Sequence, residues 1–490
     1  MKLLSYLQKN LAFDVRAFSL MRIGVAIIIL LDLSVRVSDL EAFYANTGAV
    51  PLSMIFQYKW NDYYWSFHTI SGLWQVQLLL FLFAACCALL LLIGYRTRLM
   101  TFLSWVMLLS LHNRNVLILQ GGDDLLRMML FWGMFLPWGK HYSCDRLLKK
   151  EEPESNTQIF TLATLAYILQ ITYLYTGSAL LKGPEWHTKL DALYYVYSLD
   201  QIAYAQTKWL YYYPELLKVL TAIAFWFEML VPILFFIPYK NNLFRILAII
   251  LIVGFHSFNA FSLLIGFFPW IGMISSVGLI PSSVMDRLEL TFNRWKGSVA
   301  QSFLGISTLF SRVLTWQPTK AAPTGIISQY VFGVLIAYVF AWNAGNLSFY
   351  HYKLADEVRF IGYTLRLDQN WGMFAPGVFK DDGWFVMEAT TAKNQKIDLF
   401  HPTDSLTYKK PERITAMFKN DRWRKYSENF IFTSNNFMRG YFCNYYLKKW
   451  NEEHPDQPVT ALSILYFTEL TDPDYHYVIP KKDVLCNCVY

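Results

Sequence analysis

Nothing limits the possible folds of this chain more than its apolar stretches, most of them long enough to cross about 30 Å of hydrocarbon. They fall at 17–34, 73–94, 99–118, 124–139, 158–181, 214–238, 243–263, 264–281 and 325–347. Inside a bilayer the backbone must satisfy its own hydrogen bonds, so such stretches fold as helices. Of 490 residues, 55% are hydrophobic and only 16% charged, a balance that excludes an ordinary soluble globule. The expected fold is a polytopic α-helical membrane protein with about nine spans.

Lys and Arg set the expected orientation. Lys2, Lys9, Arg96, Arg98, Lys140 and Arg146 fall in alternate connections, and Lys240, Arg245 and Arg287 continue that series. The intervening connections carry fewer cations, so the positive-inside rule puts the N-terminus in the cytoplasm. An odd number of spans then puts everything after about residue 348 outside. The same loops account for the net charge of +7. No basic patch or RNA-binding motif accompanies it, so the expected partner is the lipid bilayer and not nucleic acid. The basic start MKLLSYLQKN has no small-x-small cleavage site after it, and the first apolar run contains Arg22 and Asp32, so that span is expected to be retained.

Three parts are expected from composition. Residues 1–285 form the membrane domain. Residues 286–348 hold a cytoplasmic connection and the last span, and LELTFNRWKGSVAQSFLGISTLF there suits an interfacial amphipathic helix or a plain linker helix. Residues 349–490 read as an extracytoplasmic α+β domain. WFVMEATTAKNQKIDLF suggests a hairpin around Lys393-Asn394-Gln395, VTALSILYFTEL a strand, and RWRKYSENF and NYYLKKWNEEH helices. Cys443, Cys486 and Cys488 can supply one disulfide outside the cell. The Cys-Asn-Cys pair lacks the partner motif of a zinc site, so no metal is expected.

Charged groups at membrane depth are costly and therefore informative. Asp32 and Arg36 are spaced i,i+4 and can pair with each other, while Arg22 can snorkel to the inner surface. The outer connection HNRNVLILQGGDDLLR carries Arg114, Asp123 and Asp124; the carboxylates can cap the next helix or face a cavity. The fifth span ends in TGSALLKGPEWH, where Tyr175 and Ser178 share a helix face with Lys182. Lys182 is either a cation reaching for the surface or a buried, site-forming amine. Trp186, Tyr194 and the aromatic stretch up to Tyr213 form an interfacial belt or the walls of a pocket. His256 and Asn259, at comparable depth on another span, are candidate companions of the lysine, and Glu228 is a further buried carboxylate that calls for a cation.

MRIGVAIIILLDLSVR, FYANTGAVP, YLYTGSALLKGPEWHTKLDALYY and GFHSFNAFSLLIGFFPW, in that order over roughly residues 8–285, resemble the HTTM domain. That module is shared by vitamin K-dependent gamma-carboxylases and bacterial relatives, and LDQNWGMFAP with DDGWFV resembles the region after the last span in bacterial members. The resemblance implies a bacterial inner-membrane protein in which Lys182 is the base that deprotonates a reduced, vitamin K-like quinone. In the carboxylases the resulting anion reacts with oxygen, and the strong base so formed takes a proton from a glutamate side chain that then captures carbon dioxide. His256 matches a family histidine that would orient or relay the proton. A pocket short of carboxylates suits such a base. Two departures point away from protein-glutamate carboxylation itself: GGDD stands where the carboxylases carry an asparagine-rich stretch with a histidine, and the C-terminal domain is much shorter. The expectation is an enzyme acting on a quinol-like or other lipid-soluble substrate, with a peptide or protein substrate on the outer side as a further partner. The alternative is a non-catalytic binding, maturation or immunity-type factor, because the module also occurs in a sporulation-delaying toxin system.

Overall fold

The computed structural model describes residues 10–148, 157–291, 326–400, 406–472 and 478–490. Most of the expected amphipathic connection, 292–325, lies outside them. The chain is mostly helical, with a small sheet near its C-terminus.

Helix α1 (Val15–Val37) begins where the Asp14 side chain accepts the Arg16 N–H at 2.8 Å. Its 23 residues rise about 34 Å, and it packs against α2 (Trp74–Ile93), α4 (Gly121–Gly133) and α10 (Phe268–Val277). Between α2 and α4 lies α3 (Thr97–Arg114), whose first N–H groups are capped from a distance: Asp145 accepts from Arg96 at 2.7 Å and from Thr97 at 2.8 Å. Next come α5 (Leu162–Thr172), a π turn (Tyr173–Gly177) and α6 (Ser178–Leu181). The aromatic stretch supplies the short α7 (Ala192–Ser198) before α8 (Pro214–Leu230) and α9 (Asn241–Ser262).

Leu79, Leu82, Phe83 and Leu89 of α2, Val219, Ile223 and Trp226 of α8, and Leu247 and Ile250 of α9 are all exposed. Apolar faces of that extent demand a hydrocarbon solvent, and the chain is an integral membrane protein.

Among the described residues four helices are long and apolar enough to cross a membrane, or five if a bent pair is counted as one. The larger expected number came from apolar stretches, several of which do not form one uninterrupted apolar helix. Helix α3 ends in the buried polar run His112-Asn113-Arg114. Helix α4 starts only at Gly121, where Gln120 and Asp123 make a capping box, and has 13 residues. The 158–181 stretch becomes helical only at Leu162 and then runs through the π turn to Leu181. The 264–281 stretch yields the 10-residue α10, which meets the helix Ser282–Thr291 at a 98° bend. Helix α11 (Ile326–Gly345) comes after the 292–325 connection.

In the C-terminal domain β1 (Asp381–Thr391), β2 (Lys396–Asp398), β3 (Val459–Leu470) and β4 (Lys481–Val489) form an antiparallel sheet in the order β2-β1-β3-β4. The β1–β2 hairpin turns at Lys393–Gln395, with Asn394 at a positive φ of 61°. Helices α12 (Asp421–Ile431) and α13 (Phe437–Glu453) complete the domain, and a Cys443–Cys488 disulfide ties α13 to β4. The domain shares one core with the helices: the Trp423 ring packs on Phe43 at 4.4 Å.

Candidate functional site: a cavity closed by a lysine–glutamate pair

Helix α6 stops at Lys182, which turns extended (φ −73°, ψ 138°) ahead of Gly183 and of Pro184, the first residue of the next short helix. Gly183 N–H donates to Pro376 O at 2.6 Å, bringing the chain after α11 against this corner. Lys182 is buried, and its Nζ donates to Ser178 Oγ at 3.0 Å and to the Glu228 carboxylate of α8. The Trp186 ring lies 4.5 Å from the same Nζ, and Trp186 Nε1 is held by Phe374 O at 2.8 Å. Tyr175 Oη and His256 Nε2 are 2.8 Å apart in a buried hydrogen bond. Helix α10 comes close to that histidine because residue 272 is glycine: a Cβ there would sit 2.4 Å from His256 Nε2.

These groups line one cavity of about 1200 Å³. Tyr175, Ser178, Lys182, Trp186, His256 and Asn259 all face it, as does Glu228. Ile223 and Phe227 of α8 with Gly254 and Phe258 of α9 give it an apolar flank. The opposite wall comes from the C-terminal domain and the segment before it, through Arg366, Asp382, Arg424, Glu428 and Tyr466. Volume and apolar lining suit a small hydrophobic ligand, and polar groups are concentrated at a few points. Nothing in the sequence signalled this wall. Residues 366–466 meet Lys182 only through tertiary folding, and no periodicity reports such a contact.

Three expected contributors lie elsewhere. Asp123 accepts from Arg36 at 2.7 Å and from Arg422 at 2.6 and 2.8 Å, while Asp32 accepts from Arg36 and Arg422 at 2.7 Å each. Asp123 also accepts the Gln120 N–H at 2.8 Å, so it serves as a cap and as part of an ion cluster outside the cavity. Donor atoms of Asp32, His112 and Asp123 fall within 4.8 Å of one another, yet the two arginines already occupy both carboxylates. Arg114 donates to Tyr44 O and Val50 O at 3.0 and 2.8 Å and fastens the loop after α1. Tyr194 Oη bonds Tyr211 Oη and Asp472 O, while Leu193, Val196 and Tyr197 beside it line the cavity instead. A pocket short of carboxylates is also corrected. Glu228 is the direct partner of Lys182, and an acidic residue inside the 214–238 stretch was the available signal.

No family model, curated protein or solved structure matches this chain.

Proposed function

We propose that this protein is a membrane enzyme whose Lys182–Glu228 pair removes a proton from a hydroxyl of a lipid-soluble, quinol-like substrate near the outer leaflet. The observation that carries the reading is the pair itself, buried at the wall of a largely apolar cavity between α8, α9 and the C-terminal domain. An aromatic ring with a short apolar tail fits a space of about 1200 Å³ lined by Phe227, Phe258 and Trp186.

In the proposed step the pair gains one proton. The substrate O–H bond breaks, its electron pair stays on oxygen, and the proton passes to the pair. The Nζ ammonium is left beside the new anion, while Glu228 carries the added proton. Tyr175 and His256, 2.8 Å apart and facing the same cavity, form a second hydrogen-bonded pair and are the proposed next stop for the proton. Attack of the anion on oxygen, and any later carboxylation, are implied by the resemblance to the vitamin K-dependent carboxylases. Support for an extracytoplasmic C-terminal domain comes from the Cys443–Cys488 disulfide and the loop cations.

A second reading is favoured by one observation: Lys182 and Glu228 satisfy each other, as two structural charges do in a non-catalytic binding factor. Protein in nanodiscs supplied with a reduced short-chain naphthoquinone, oxygen and labelled bicarbonate separates the two. The first reading gives turnover that Lys182→Met abolishes. Binding of the quinol by wild type without any turnover gives the second.

A further inference from the structure

Asp382, the second residue of β1, lies on the C-terminal wall of the cavity and is 5% exposed. Its carboxylate accepts the backbone N–H of Asp200, which brings two acidic side chains together. The cations nearby are committed elsewhere. Lys208 and Lys410 each reach Asp200 at 2.7 Å, and Lys410 also pairs with Glu469, the residue opposite Asp382 on β3. Among the described residues no Lys, Arg or His forms an ion pair with Asp382. The remaining groups facing it are Asp381, which also lines the cavity, and Tyr466, whose Oη accepts from Gln201 Nε2 at 2.9 Å. Gln201 also donates to Gly383 O at 3.0 Å. The strand pair closes tightly here because residue 383 is glycine: a Cβ would meet Phe467 O at 2.0 Å.

A buried carboxylate with no cation of its own is costly as an anion and keeps its proton. We infer that Asp382 is a second proton-carrying residue of the cavity, donating a hydrogen bond to a carbonyl or carboxylate oxygen of a ligand whose hydroxyl lies at the Lys182–Glu228 pair. The inference rests on the reading of this cavity as a ligand site. Desolvation, and after it the Asp200 carboxylate, push the Asp382 carboxyl up to about 7. The group therefore changes state within the physiological range, and the hydrogen bond it offers is present at lower pH and lost as pH rises. Lysozyme and ketosteroid isomerase are known cases in which an environment keeps a carboxyl protonated so that it can donate.

The test uses full-length protein in nanodiscs and infrared difference spectra between about pH 5 and about pH 9. A protonated-carboxyl band with a midpoint near neutrality should appear in wild type and vanish in Asp382→Asn. In Asp200→Asn, which retains Asp382 but removes the neighbouring charge, the midpoint should move to lower pH. A band unchanged by Asp382→Asn, or a midpoint that ignores Asp200→Asn, overturns the proton-carrying role. A second arm adds a short-chain hydroxynaphthoquinone, which carries both a hydroxyl and ring carbonyls, to the wild-type sample. A shift of the Asp382 band on addition supports the contact. An Asp382 band that titrates as expected but ignores the quinone rejects the ligand contact while leaving the carboxyl's proton in place. The spectra need no turnover, so failure of the proposed enzyme reaction leaves this outcome readable.

Discussion

Lys182, at the end of α6, and Glu228 on α8 form a buried ion pair that faces the cavity and adds a charge pair to the packing of the two helices. Removing one partner leaves a charge with no counter-ion. Lys182→Ala or Glu228→Ala alone should therefore cost about 3–5 kcal/mol, while the apolar double variant Lys182→Met/Glu228→Leu should recover most of that loss. Thermal unfolding in detergent checks this. A double variant as unstable as the worse single one contradicts it.

Arg422 joins the C-terminal domain to the membrane helices, because α12 sends its guanidinium between Asp32 of α1 and Asp123 of α4. Lysine cannot reproduce that forked geometry. Arg422→Lys should loosen the domain, and Arg422→Met should destabilise by about 3–5 kcal/mol, because two buried aspartates are then left to share Arg36 alone. Faster hydrogen exchange at Asp421–Ile431 is the expected readout, and unchanged exchange counts against the bridge.

Tyr175→Phe removes the hydroxyl that His256 Nε2 meets at 2.8 Å. A buried ring nitrogen without its partner costs about 1–3 kcal/mol. Turnover should fall with no change in quinol binding. Loss of binding with normal turnover per bound quinol argues against the relay.

For Asp382 the folded pKa, about 7, lies above the usual carboxyl value of 3.8. Between those values the folded protein keeps a proton that the unfolded chain releases, so stability from this group falls as pH rises across that window. Asp382→Asn should flatten the slope of stability against pH, and the wild-type minus variant difference isolates it from other titrating groups. Equal slopes exclude the raised value.

Cys443 and Cys488 are 45 residues apart, and closing that loop should be worth about 2–4 kcal/mol. Reductant should lower the midpoint of C-terminal domain unfolding, and Cys443→Ala should reproduce the shift. An indifferent midpoint rejects the bond.

Helical spacing from Lys182 placed Tyr175 and Ser178 on the cavity face, and the apolar context of Glu228 marked it as needing a cation. These inferences work because helix geometry and the cost of burying charge are local and general. Asp123 shows the limit. Its position in GGDD indicated a cap or a cavity carboxylate, and it does cap α4, but its two arginine partners come from positions 36 and 422. Tyr194 fails for a similar reason: on a seven-residue helix, neighbours differ by about 100° in direction, and only the packing of Tyr211 and Asp472 decides which face turns inward. The nine apolar stretches do not map one to one onto the four helices, or five with the bent pair, that qualify by length and composition among the described residues, because hydropathy marks apolar sequence and not helix ends.

The most direct measurement is the rate at which a reduced short-chain naphthoquinone loses its hydroxyl proton in nanodiscs, monitored by absorbance of the anion under anaerobic conditions. With Lys182 and Glu228 as the proton-accepting pair, wild type should form the anion at least about 100-fold faster than Lys182→Met/Glu228→Leu. Equal rates in the two proteins, with the quinol bound in both, would contradict the central role given to this pair.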